Sequence, residues 1–145
     1  MKFVADIMLG RLARWMRLLG FDVLYPDTSD DKELLKFAGE RIILTRDKDL
    51  GKKKNVLLIK SVNVNEQLKQ VVNELNLKIS RPLSRCSVCN KILIEEEKKS
   101  VRNLVPERIY NNHNIFWRCL DCNRIYWKGS HYDKIMDTVS RLKSK

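Results

Sequence analysis

The sequence predicts an α/β fold in which a parallel sheet flanked by helices is followed by a small β module built on cysteines. Three observations predict it. Short strands and helices alternate through the first 80 residues, those strands are apolar on both faces, and all four cysteines fall later, as two C-x-x-C pairs. Strands buried on both faces mark a parallel sheet, whose crossovers are supplied by the intervening helices. The pattern changes at Ile79-Ser80-Arg81-Pro82. The expected division is therefore residues 1–80 for the α/β domain and 81–145 for the cysteine module with its final helix.

Lys2 to Ala5 reads as a buried strand that meets a lone acid, Asp6. Residues 9–19 read as an amphipathic helix, because Leu9, Leu12, Ala13, Met16 and Leu19 fall at helical spacing. Arg11, Arg14 and Arg17 lie together off that stripe. Gly20 is the expected stop, and Phe21 to Tyr25 the second strand. Thr28-Ser29-Asp30-Asp31 offers N-caps for a helix running to Ala38. Arg41 to Thr45 and Val56 to Lys60 are the third and fourth strands, and Asn65 to Leu75 is a helix with Leu68, Val71, Val72 and Leu75 on one face. Beyond the boundary, apolar–polar alternation at 115–117 and 124–127 predicts a small β module. A last amphipathic helix spans about Tyr132 to Leu142.

The net charge of +11 is large for 145 residues and divides as +4 before residue 81 and +7 after it. Such a balance favours a polyanionic partner over a small neutral metabolite; a lysine-rich thermophilic surface is the rival explanation. The longest apolar runs are about five residues, too short for a bilayer-spanning helix. The N-terminus lacks the apolar stretch of a secretory signal. The expected location is the cytoplasm.

In a cytosolic chain, Cys86-x-x-Cys89 and Cys119-x-x-Cys122 argue for metal rather than disulfides. Four thiolates close the coordination sphere of one zinc, so the site is structural and offers no open position. The 29 residues between the pairs are expected to hold something like a hairpin. Asn90 and Asn123 follow the pairs, and asparagine tolerates the left-handed backbone that a knuckle turn wants. His113 and His131 are not needed as ligands. Zinc also explains how so small a module folds.

The acids of the first domain occupy particular places. Asp6 follows the first strand, Asp30 and Asp31 open the second helix, and Asp47 and Asp49 follow the third strand. In a parallel sheet these places lie near one edge, where ligand sites collect. Converging carboxylates repel one another unless a cation joins them, and Mg²⁺ or Mn²⁺ is the natural partner. Asp30 and Asp31 also suit helix caps, and Asp47 or Asp49 a turn. An aspartyl phosphotransferase would carry a second Asp two residues after Asp6, where Met8 stands. Asp47-Lys48-Asp49 has the D-x-D form of a topoisomerase-primase domain, but that fold wants a Glu after an earlier strand.

Read together, the stretches Val4 to Trp15 (VADIMLGRLARW), Leu18 to Asp22 (LLGFD), Ile42 to Asp47 (IILTRD), Cys86 to Asn90 (CSVCN) and Cys119 to His131 (CLDCNRIYWKGSH) resemble the Mut7-C ribonuclease family, PIN-like nucleases with an appended zinc ribbon. The resemblance covers nearly the whole chain. It implies a PIN-like sheet and metal-dependent RNA cleavage; the substrate is left open among precursor rRNA, tRNA and mRNA. It carries the metal-binding acids onto Asp6, Asp31 (or Asp30) and Asp47, with Asp49 as an outer acid. Arg11, Arg14 and Arg46 are candidates for gripping the RNA backbone. Arg118, Arg124 and Lys128, beside Trp117, Tyr126 and Trp127, are candidates for binding single-stranded RNA by charge and stacking. The rival readings are a non-catalytic RNA- or ribosome-binding protein and a protein–protein adaptor stapled by zinc. The oligomeric state is open, a dimer being compatible with this fold.

Overall fold

The structure is a computed structural model that describes residues 1–143. Four parallel strands, β1 (Lys2–Ala5), β2 (Asp22–Leu24), β3 (Ile42–Thr45) and β4 (Val56–Leu58), pair in the order β2-β1-β3-β4. The alternation of side chains along β1 shows why the strand is apolar throughout. Phe3 and Ala5 enter a large core with α1 (Gly10–Leu18), α3 (Val64–Glu74) and the sheet's β3 residue Leu44, while Val4 enters a second core with Leu34, Ile43 and Leu50. Both faces are thus buried, as parallel pairing requires. The short helix α2 (Asp31–Leu35) covers the second face through Leu34.

The predicted stripe of α1 is buried in full, with Leu9, Leu12, Ala13, Met16 and Leu19 each at most 1% exposed. The helix ends in a Schellman motif, in which Gly20 N–H donates to Arg17 C=O and Phe21 N–H to Met16 C=O. Gly20 takes φ +99°, and a Cβ there would meet Arg81 C=O at 2.5 Å, so the position requires glycine. The expected helix over 9–19 differs at its start, where Ile7–Leu9 forms a 3-10 turn capped by Asp6.

After residue 80, three antiparallel strands, β5 (Ile94–Glu96), β6 (Phe116–Arg118) and β7 (Ile125–Tyr126), form a second sheet in the order β5-β6-β7. The predicted hairpin between the cysteine pairs is replaced by β5 pairing across a long excursion. That excursion holds a 3-10 turn at Lys98–Val101 and α4 (Glu107–Asn112), pinned by buried Val101 and by Tyr110 stacked on Phe116. The final helix α5 (Ser130–Lys143) sends Ile135 and Val139 into the large core of the first sheet, where α5 packs against α3. No helix among the described residues is long and apolar enough to cross a membrane.

Candidate active site and metal centre

Because β1 and β3 are parallel neighbours, their C-terminal ends deliver Asp6 and Asp47 to the same edge. Asp6 N–H donates to Leu44 C=O at 2.9 Å, which carries the pairing one residue past the strand. Asp6 is 5% exposed. Its Oδ1 accepts from Ile7 N–H at 2.7 Å and its Oδ2 from the Thr45 hydroxyl at 2.8 Å. The same hydroxyl oxygen accepts from Asp47 N–H at 3.0 Å. One fully buried threonine therefore ties the carboxylate after β1 to the backbone after β3. Asp47 Oδ1 is engaged locally, accepting from Asp49 N–H at 2.8 Å and Leu50 N–H at 3.3 Å.

Asp30 is the N-cap of α2, accepting from Lys32 N–H at 2.9 Å, so the capping alternative holds for it. Asp31 occupies the first helical turn. Desolvation raises its pKa, and the like charges of Asp47, Asp6, Asp30 and Asp49 raise it further, in that order. Asp31 thus senses all four other candidates. Asp49 is exposed and pairs with Lys52 at 3.8 Å. Among the described residues no ion pair joins Asp6, Asp31 or Asp47 to a lysine or arginine. The oxygens of these three acids do not all fall within 4.8 Å of one another, whereas the four cysteine sulfurs do.

Of the predicted arginines, Arg11 and Arg14 are exposed on α1 and Arg46 is half-buried beside Asp47. The Nε of Arg46 is buried without a hydrogen-bond partner. Arg17 departs from the expectation of a shared arginine face: it is 7% exposed. Its Nε donates to Val23 C=O at 2.9 Å and its Nη1 to Ser87 and Val88 C=O at 3.0 Å.

Tyr25 and Thr45 are supporting residues that periodicity alone does not mark. The Tyr25 hydroxyl donates to Ile7 C=O at 2.5 Å, and its ring lies where a Cβ on Gly10 would stand, 2.9 Å from the phenol oxygen. The glycine before Arg11 therefore lets Tyr25 pin the turn that Asp6 caps.

Cys86, Cys89, Cys119 and Cys122 form the candidate metal centre, their sulfurs all within 4.8 Å of one another. Cys86 Sγ and Cys122 Sγ are 3.7 Å apart, close to the roughly 3.8 Å edge of a tetrahedron with zinc–sulfur bonds of about 2.3 Å. Asn90 and Asn123 take φ +66° and +62°, the left-handed turn expected of them. Burial opposes ionisation of Cys86, but hydrogen bonds from the Tyr126 hydroxyl and the Cys89 and Val88 N–H groups bring its pKa to about 7. Burial and the adjoining thiols push Cys89 up to about 12. Metal binding needs the thiolate form, so cation uptake and thiol deprotonation are coupled at such a cluster. The donor set fits zinc.

The knuckle also covers the outer edge of β2, the edge strand of the parallel sheet. Val23 N–H donates to Asn90 Oδ1 at 3.0 Å, while Val23 C=O accepts from Arg17. Asp22 receives Asn90 Nδ2 at 2.8 Å and the two terminal nitrogens of Arg41 at 2.8 and 3.3 Å. Among the predicted ribbon cations, Arg118 stands 3.4 Å from Glu96 on the adjoining strand, and Lys128 lies over the rings of Trp117 and Tyr132. Arg124 is exposed.

A family model described as the Mut7-C RNAse domain matches residues 1–139. No curated protein and no solved structure matches the chain.

Proposed function

Since this chain belongs to the Mut7-C RNAse domain family, we propose that it is a divalent-metal-dependent ribonuclease of PIN-like type, with Asp6, Asp31 and Asp47 as its metal-binding acids. The observation that carries this reading is a buried carboxylate, Asp6, at the C-terminal sheet edge, held by neutral donors alone. Beside it, the proton affinity of Asp31 is raised by desolvation and by the charges of Asp47 and Asp6. An acidic cluster without a cationic partner fits a hard divalent cation such as Mg²⁺ or Mn²⁺. When bound there, such a cation supplies an activated water and screens the charge that develops on the phosphoryl oxygens.

The chain's own residues perform the rest. Thr45 and the Ile7 N–H fix the orientation of the Asp6 carboxylate, so its oxygens need little reorganisation. Arg11 and Arg14 project from the helix that starts just after Asp6, and Arg46 precedes Asp47. Their guanidinium groups suit the non-bridging oxygens of a phosphodiester. The zinc centre holds the second module and does no bond-breaking chemistry. The substrate is RNA, with precursor rRNA, tRNA or mRNA as the classes to try.

Purified zinc-loaded protein with Mn²⁺ is expected to cleave RNA, and Asp6→Asn to abolish cleavage while leaving the fold and RNA affinity intact. RNA that is bound but never cut, with no difference between Asp6→Asn and the parent, would support a non-catalytic RNA-binding protein instead.

A further inference from the structure

A cleft of about 430 Å³ separates α1 from the cysteine module. Arg14 enters it from α1, Val88 from the first knuckle, Leu104 from the long excursion, and Arg124 and Trp127 from either side of β7. No acidic side chain lines it. Arg14 and Arg124 are exposed, and neither belongs to an ion pair among the described residues. Two guanidinium groups outside any ion pair face a space whose other walls mix the polar groups of Ser87 and Tyr126 with the apolar surfaces of Val88, Leu104, Ile125 and Trp127.

The indole is fixed in place. A Cβ on Gly129 would meet Trp127 Nε1 at 2.7 Å and Cδ1 at 2.9 Å, so the ring rests on glycine backbone. Trp127 also lines a second, apolar cleft with Ile125 and Tyr132. It therefore stands as a wall shared by that apolar space and the arginine-lined cleft. The exposed side chains of Val88 and Leu104 supply apolar surface beside it.

We propose that this cleft seats one unpaired nucleotide of an RNA strand, with the base stacked on Trp127 and the adjoining phosphates held by Arg14 and Arg124. The inference rests on the ribonuclease reading and deepens it. The face of a base is open to stacking on a side chain only where the base has left a duplex, so the ligand is single-stranded. An acidic peptide would satisfy the arginines but leave the indole without a partner. The position fits the acid edge as well. Arg14 lies four residues beyond Gly10, about 6 Å along the helix axis, and Arg11 lies between Arg14 and the turn capped by Asp6. A strand leaving the acids meets Arg11, then Arg14, then the cleft.

The test measures binding rather than cleavage, by fluorescence anisotropy of a labelled single-stranded octaribonucleotide on the zinc-loaded Asp6→Asn chain. Arg14→Ala and Arg124→Ala are each expected to weaken binding about tenfold and to reduce the slope of log affinity against log salt by roughly 0.7. Trp127→Leu is expected to cost about tenfold, in line with the loss of one base–aromatic stack. One abasic position in the RNA should reproduce that loss in the parent and add nothing in Trp127→Leu. Arg124→Glu, on the surface, keeps the test open if Trp127→Leu fails to fold, and is expected to weaken binding more than Arg124→Ala. Unchanged affinity in both arginine variants overturns the proposal. So does a duplex or a polyglutamate peptide that competes as well as the single strand. If the parent chain with Mn²⁺ leaves the oligonucleotide uncut while the arginine and abasic pattern holds, the ribonuclease reading fails and the nucleotide seat stands.

Discussion

Thr45→Val replaces one buried oxygen by a methyl group at nearly constant volume, and so asks what the hydroxyl between Asp6 and Asp47 contributes. The hydroxyl donates to a carboxylate at 2.8 Å and accepts from Asp47 N–H at 3.0 Å. A hydrogen bond to a charged group has a net worth of about 1.5–3 kcal/mol, and a donor left unsatisfied costs at least about 1 kcal/mol more. The added methyl returns about 0.8 kcal/mol through burial. The expected destabilisation is about 2–3 kcal/mol, read as a lower urea midpoint with unchanged m. Thr45→Ser keeps the hydroxyl and should lose only the smaller packing part. In the Asp6→Asn background the charge is gone, so Thr45→Val should cost at least about 1 kcal/mol less than in the parent, as a double-mutant cycle would show. A loss below about 0.5 kcal/mol, or strict additivity with Asp6→Asn, would refute the idea that this hydroxyl holds the acid edge together.

Three further outcomes are expected. Burial pushes the Asp22 carboxyl up, but hydrogen bonds from Arg41 and Asn90 outweigh it and hold the pKa below the usual carboxylate value. Its stabilisation is therefore complete above the unfolded pKa and is lost as pH falls through the lowered folded one. Asp22→Asn should flatten that acid limb in urea midpoints taken from pH 7 downward, and an unchanged limb would contradict the assignment. Gly20→Ala places a Cβ at φ +99° and 2.5 Å from Arg81 C=O. It should cost at least about 1–2 kcal/mol from the backbone conformation alone, measured as a fall in Tm. Removing zinc by chelation, or Cys119→Ser, should release Asn90 from β2 and speed hydrogen exchange at the Val23 amide; an equally protected amide in the metal-free chain would count against the knuckle's hold on that strand.

The sequence made the sheet legible because parallel pairing leaves a strong trace: Phe3, Val4 and Ala5 must all be apolar when both faces are covered. The cysteine centre was equally legible, since ligand spacing and the asparagines after each pair encode the knuckle turn directly. The excursion between the knuckles was not. Neither β5 nor α4 carries a long periodic pattern; β5 is three residues with exposed Ile94, and α4 buries no residue. Such elements exist through tertiary pairing rather than propensity. Arg17 was misplaced for a related reason. Helical spacing sets it beside Arg11 and Arg14, but only the fold shows that carbonyls of Val23, Ser87 and Val88 converge on its guanidinium. The acid edge was legible as a neighbourhood, because topology gathers strand ends. Which acid is a cap, which a turn former and which is held buried depended on hydrogen bonds no spacing rule reports.

Those same contacts change how the second module is understood. An open edge strand offers unpaired N–H and C=O groups and invites pairing with another chain. Here Val23 has both groups occupied, one by Asn90 of the knuckle and one by Arg17. Arg17 in turn grips the knuckle backbone, and burial lowers its pKa while the charges of Cys86 and Cys89 oppose that shift. With zinc bound, four thiolates would leave two negative charges there, and a buried arginine beside them is the natural counter-charge. Helix α1 therefore meets the acid edge at its N-terminal end, where Asp6 caps the turn before it, and the first cysteine knuckle at its C-terminal end through Arg17. Its exposed face presents Arg11 and Arg14 between the two. The cysteine module thus walls one side of the RNA path proposed for this chain, anchored by the same helix whose entry turn Asp6 caps.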